Sequence, residues 1–158
     1  MSENFQTVCV LDPNGRRIVA HKDMLLLCAI FNSFVFDAII RLKVTANMNF
    51  FFVYTTQISN KGTALDPGII KRAARLICTT PEFDDLAREV GLKNHREGAT
   101  NAVERARLRA ELDGLIAHLY GLTEEEFSYI LTTFPLVPDP IKTSARNAYR
   151  DVEKGLIK

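Results

Sequence analysis

Apolar residues cover nearly every face of residues 24–42, and a helix that is hydrophobic all round is one enclosed by the rest of its protein. Asp23 stands where the N-cap of that helix is expected, and the stretch ends in Arg41-Leu42-Lys43. Before it, the apolar runs 7–11 and 17–20 flank Asp12-Pro13-Asn14-Gly15. Proline presets φ there and Asn-Gly tolerates positive φ, a pattern that predicts a β-hairpin. After it, residues 47–58 mix aromatic and β-branched side chains, which predicts an extended segment over about 51–58. Ser59-Asn60-Lys61-Gly62 reads as a loop and as a boundary between subdomains.

Beyond that boundary the pattern is helical. Asp66-Pro67 supplies a cap followed by proline at the first helical position, and Ile69, Ile70, Ala73, Leu76 and Ile77 form one stripe. Thr80-Pro81 repeats the device, with Phe83, Leu86, Ala87 and Val90 at helical spacing before a stop at Gly91. Residues 93–100 are polar and read as a mobile connection. Asn101 with Glu104 has the form of a capping box, opening a helix whose Leu108, Leu112, Leu115, Ile116 and Leu119 make a continuous face up to Gly121. Thr123 with Glu126 makes a second box ahead of Phe127, Ile130, Leu131 and Phe134. Pro135 and Pro138 break the chain. Asp139-Pro140 then caps a last helix, placing Ile141, Ala145, Ala148, Tyr149 and Val152 inward.

The expected class is therefore mainly α with a small β part, an α+β arrangement. A recognition-like segment over 1–62 holds the hairpin and strand around a buried helix, and a helical subdomain over 63–158 holds a bundle of about five helices; the alternative is that the two form one compact domain. A chain of 158 residues with 47% hydrophobic content can build a real core. Twenty lysines and arginines against nineteen carboxylates give no global attraction for nucleic acid or anionic lipid, so any polyanion site has to be local. Cys9, Cys28 and Cys78 are odd in number, far apart and set among apolar neighbours, as befits buried thiols in a reducing cytosol rather than a disulfide framework or zinc site. Met1-Ser2-Glu3-Asn4 lacks the basic start and apolar run of a signal peptide. Residues 24–42 approach membrane-spanning length but include Asn32, Ser33, Asp37 and Arg41, and a carboxylate inside a membrane is costly. A cytoplasmic protein with no membrane partner is expected.

Candidate chemistry is sparse. His21, His95 and His118 have no second histidine or cysteine at metal-ligand spacing, and His118 falls in the last turn of its helix, where imidazole suits the dipole. No Gly-rich phosphate loop occurs. The carboxylate clusters at 82–85 and 124–126 could suggest metal-dependent nuclease chemistry, but each falls in the first turn of a predicted helix, where negative charge offsets the dipole. No spacing picks out a nucleophile–base pair. Among the cations, Arg41 and Lys43 end the buried helix, while Lys71, Arg72 and Arg75 lie on the outward side of the next. Arg105 and Arg109, four apart, share another exposed face. Positive charge at a surface suffices for phosphate contact, and a solvated helix face is the bland account of the same residues.

Leu25-Leu-Leu-Cys-Ala-Ile-Phe-Asn-Ser-Phe-Val-Phe-Asp-Ala-Ile-Ile-Arg-Leu-Lys43, followed by Asn47-Met-Asn-Phe-Phe-Phe-Val-Tyr54, resembles the C-terminal target-recognition region of large restriction–modification adenine-specific DNA methyltransferases of the fused, type IIG-like kind. There a helix of the form LL-x-hydrophobic-LNS-x-hydrophobic-xD precedes a basic tip and an N-x-N-F-F segment. Residues 106–134, which include Ala106-Arg-Leu-Arg-Ala-Glu-Leu-Asp-Gly-Leu115 and Leu119-Tyr-Gly-Leu-Thr-Glu-Glu-Glu-Phe127, are similar to the helical tail of the same enzymes. The chain departs from that pattern at 55–59, where the proline-rich continuation is missing. Such enzymes transfer methyl groups from S-adenosylmethionine to DNA adenine through a Gly-containing cofactor motif and an Asn/Asp-Pro-Pro-aromatic motif, and neither occurs in this sequence.

The resemblance thus implies a piece that holds target recognition without its own methyl-transfer site, catalytic residues, metal or cofactor. S-adenosylmethionine is expected only in a larger parent or partner. The implied partners are DNA and a methyltransferase core or restriction subunit. Arg41, Lys43, Asn47 and Asn49 match the basic tip and the asparagine pair, and with Lys71, Arg72 and Arg75 they form the expected DNA-binding set. The alternative is a protein-interaction domain that docks on a methyltransferase core and never touches DNA.

Overall fold

The computed structural model describes Asn14 and residues 19–44 and 66–158. In it the long apolar stretch is two helices, α1 (His21–Phe31) and α2 (Phe34–Lys43), bent by 68° at Asn32-Ser33. The break has a local cause. Ser33 is buried; its hydroxyl donates to the Ile30 carbonyl at 2.7 Å and accepts from Phe36 N–H at 3.2 Å, ending one helix and capping the next. Asn32 Nδ2 donates to the Cys28 carbonyl at 2.8 Å, and Phe34 N–H finds the Asp113 carboxylate at 3.1 Å. Orphan donors at the new N-terminus are thereby satisfied by side chains. The expectation of one continuous helix capped by Asp23 is corrected accordingly: Ala20 is the N-cap of α1, without a side-chain bond, and Asp23 lies in the first turn. Among the described residues no single helix is long and apolar enough to cross a membrane; α1 and α2 together have the length and composition, but with that bend between them.

The helix α3 (Asp66–Ile77) carries Pro67 in its first turn and buries Ile69, Ala73 and Ala74. A 3-10 turn, Pro81–Phe83, leads into the short α4 (Asp84–Glu89), which stops before Gly91 at φ +86°. The connection over 93–100 is not a loose strand of chain. It holds a second 3-10 turn, His95–Glu97, capped by Asn94, and Ala99 is buried with its N–H on the Arg75 carbonyl at 2.6 Å.

Asn101 caps α5 (Ala102–Leu119) by accepting from Val103 N–H and Glu104 N–H. Glu104 does not complete the box, because its carboxylate pairs with Arg75 across the interface with α3. Thr123 and Glu126 form the full reciprocal box at the start of α6 (Glu124–Thr132). The last helix, α7 (Asp139–Glu153), starts after Pro138 without a side-chain cap bond from Asp139, and buries Ala145, Ala148 and Tyr149. Ile141, expected inward, is 51% exposed. Among the described residues, the most extensive helix pairing is between α5 and α7. Gly114 makes it possible: a Cβ there would sit 2.7 Å from the Tyr149 backbone nitrogen.

Seven α-helices and no strand occur among the described residues, so the expected α+β class is corrected to an all-helical one. The physical reason is that, among the described residues, the core closes by helix–helix burial. Leu25, Ile30, Val35 and Phe36 on one side of the 62/63 boundary share a single apolar cluster with Ile69, Leu115, Ile116 and Phe127 on the other. Apart from Asn14, Val19 and Ala20, the hairpin expected at 7–20 lies outside the described residues, as does the extended segment at 51–58.

Candidate binding cleft

A cleft of about 680 Å³ opens where α1, α2, α5 and the start of α7 meet. Its floor is apolar, formed by Ala29, Ala73, Leu76, Leu112 and Phe134. Its charged groups come from two helices whose periodicity aligns them. On α2, Phe34, Asp37 and Arg41 follow one another at i, i+3 and i+7; on α5, Arg105, Arg109 and Asp113 are spaced by four. All six line the cleft.

Each charged group is held differently. Arg41 bonds both oxygens of Asp37, Nε to Oδ1 at 3.2 Å and Nη2 to Oδ2 at 2.8 Å, and lays its guanidinium carbon 4.5 Å from the centroid of the Phe134 ring. The plane of the cation is thus fixed by a bidentate carboxylate and an aromatic face. Arg105 Nη1 donates to the carbonyls of Leu76 at 2.9 Å and Ala99 at 2.8 Å, so its charge is anchored by neutral oxygens. Arg109 is exposed and makes no hydrogen bond or ion pair among the described residues. Asp113 Oδ1 accepts from Phe34 N–H. Enclosure by its neighbours pushes the Asp113 carboxyl up to about 7, and the bond from Phe34 offsets only part of that. Three guanidinium groups therefore face one carboxylate that is already paired and one carboxyl that is partly neutral at pH 7. The cleft carries net positive charge.

The residues expected from the sequence go to different places. Arg41 enters the cleft; Lys43 sits half-buried in the last turn of α2 and does not line it. Lys71 is exposed on α3, away from the lining. Arg72 and Arg75, expected to face outward, are turned into the protein. Arg72 donates to Glu111 at 2.6 Å and to the carbonyls of Gly68 and Lys158, with its side chain 16% exposed. Arg75 donates to the Glu97 carbonyl at 3.1 Å and pairs with Glu104. Both cross-brace α3 rather than present charge to solvent. Asn47 and Asn49 lie outside the described residues.

The sequence pattern does not point to Asp113, places Phe134 only on an apolar stripe, and leaves Arg105 and Arg109 as one exposed face open either to phosphate contact or to solvent. The row at 105, 109 and 113 was available as a spacing signal. Cys28, expected to be buried, is exposed on the cleft wall, whereas Cys78 is fully buried and its thiol is pushed up by that burial. Cys9 lies outside the described residues.

Elsewhere the polar groups brace the fold. His118, in the last turn of α5, bonds the Tyr149 carbonyl through Nε2 at 2.9 Å and stacks on the Tyr149 ring at 4.0 Å. Asp84 accepts from the backbone and the ring of His95, which holds its carboxyl below the usual range. Glu124 is likewise lowered by Arg150. Among the described residues, no three histidine, cysteine or carboxylate side chains gather as a metal site. Compared with known protein families, curated proteins and solved structures, the chain matches none.

Proposed function

We propose that the chain is a DNA-binding, target-recognition module of a restriction–modification adenine-specific methyltransferase, acting beside a core that supplies the S-adenosylmethionine site and the methyl transfer. The observation that carries this reading is the gathering of Arg41, Arg105 and Arg109 on one cleft at the foot of α2. In a chain of net charge +1, that is a local concentration of cations of the kind that positions phosphates. The resemblance of residues 25–54 and 106–134 supplies the target. Arg41 and Lys43 stand at the end of α2, next to Asn47 and Asn49 in sequence, and are the residues we assign to the DNA contact; Lys71 is exposed on α3 but lies away from the cleft lining. Arg72 and Arg75 do not belong to it, because their guanidinium groups are engaged inside the fold.

The purified chain should retain duplex DNA at low ionic strength and release it as salt rises. Arg41→Glu with Lys43→Glu should weaken that retention at least tenfold with unchanged helical content. A folded double variant that binds as the parent does would remove these residues from the site.

One observation favours the second reading, docking on a methyltransferase core without DNA contact. Phe31, 39% exposed, and Ile141, 51% exposed, both line the cleft, and exposed aromatic and aliphatic groups of this kind suit a protein partner. Mixing the chain with such a core while titrating DNA separates the two. Core binding that survives the charge-reversed variant and is indifferent to DNA favours docking alone.

A further inference from the structure

We propose that the cleft between α2 and α5 is a binding site for a single nucleotide, a nucleoside monophosphate group taken either free or as an unpaired residue of a strand. The proposal is independent of duplex binding. It starts from the way Arg41 is held. Asp37 grips the edge of the guanidinium and Phe134 covers one face, so the flat cation is fixed in orientation while its side chain remains 56% exposed. A planar base stacks well on such a surface, since delocalised guanidinium groups stack on aromatic rings at little cost in hydration.

The far side of the cleft supplies the complementary chemistry. Arg109 is a guanidinium with no partner among the described residues, four residues from Arg105, whose charge is balanced only by backbone carbonyls. Two such groups match the geometry of a phosphate. Asp113 lies one helical turn further along α5. Its Oδ1 is engaged by Phe34 N–H, which leaves Oδ2 for the edge of a base. Phosphate at Arg105 and Arg109, base on Arg41 and edge at Asp113 use the charged groups of the cleft together. A volume of about 680 Å³ lies within the usual range for sites of small ligands.

Cys28 on the cleft wall offers a reporter, since Cys78 is fully buried. Binding to the full-length chain would be measured by titration calorimetry with deoxyadenosine monophosphate, deoxyadenosine, inorganic phosphate and a single-stranded tetranucleotide. Maleimide modification of Cys28 would be followed in parallel in a Cys9→Ser background. We expect the monophosphate to bind at least tenfold more tightly than the nucleoside or phosphate alone, and to slow Cys28 modification. Arg109→Gln should weaken the monophosphate at least tenfold and the nucleoside little. Arg41→Lys, which keeps charge but loses the flat surface, should weaken monophosphate and nucleoside alike. Tighter binding of the tetranucleotide assigns the site to a strand, and tighter binding of the monophosphate to a free nucleotide; either supports the proposal. Equal affinity for phosphate and monophosphate, no effect of Arg109→Gln, or Cys28 modification indifferent to ligand overturns it, whatever the chain does with duplex DNA.

Discussion

Asp113 holds the start of α2 through one hydrogen bond and does so without an ion pair among the described residues. Its carboxyl is raised from an ordinary value of 3.8 to about 7. The folded state therefore keeps a proton that the unfolded chain releases, and stability contributed by that proton is complete below about pH 4 and is lost as pH rises to about 7. Asp113→Asn, whose amide oxygen can still accept from Phe34, should match the parent in urea unfolding near pH 4. At pH 8 it should exceed the parent by up to roughly 4 kcal/mol. Glu111 makes the opposite case. It is buried and accepts from both Arg72 and Arg107, so Glu111→Leu should cost roughly 3 kcal/mol by leaving Arg72 enclosed without its carboxylate. Where Arg72 would go was not legible in the sequence. The amphipathic stripe of α3 identifies one covered face, but the polar side is covered too, by Glu111 and the Lys158 carbonyl, 39 and 86 residues away. Arg41, at the end of its own helix with Asp37 four residues before it, depends less on distant chain, and it is the expected cation that the cleft received.

At the scale of the element, starts and stops were legible wherever a short-range signal was sufficient. Thr123 with Glu126 builds its box, Asn101 caps α5, and Gly91 and Gly121 end their elements with positive φ. The break between α1 and α2 was hidden for a physical reason: with apolar residues on every face, periodicity carries no phase, and a 68° bend leaves the composition unchanged. Its signal is the polar pair Asn32-Ser33. Ser33→Ala should cost about 1–2 kcal/mol in chemical unfolding by removing a buried cap, a larger effect than Thr123→Ala, whose box is exposed to water. Gly114 could be seen as a helix-interior glycine but not explained before α7 was in place. Gly114→Ala should lose about 1–3 kcal/mol as α5 and α7 move apart. A variant as stable as the parent would mean that the two backbones are not held this closely.

For the whole molecule, the expected α+β class gives way to an all-helical one among the described residues, and one apolar cluster runs through helices on both sides of the expected boundary. No local pattern announces such a cluster; it exists only once α1 lies on α3 and α2 reaches α5 and α6. The cleft is a product of the same assembly, and this is why it unites Arg41 with Arg105 and Arg109 rather than with Arg72 and Arg75. A surface that positions phosphates through a few such groups has a definite ionic signature. The most direct measurement is the slope of log affinity for duplex DNA against log salt concentration, for the parent and for the Arg41→Glu, Lys43→Glu variant. We expect a steep negative slope in the parent and one shallower by about 2 in the variant, close to one for each side chain that no longer neutralises a phosphate. Parent affinity that is flat in salt, or an unchanged slope in a variant shown to be folded, would contradict DNA binding through the end of α2.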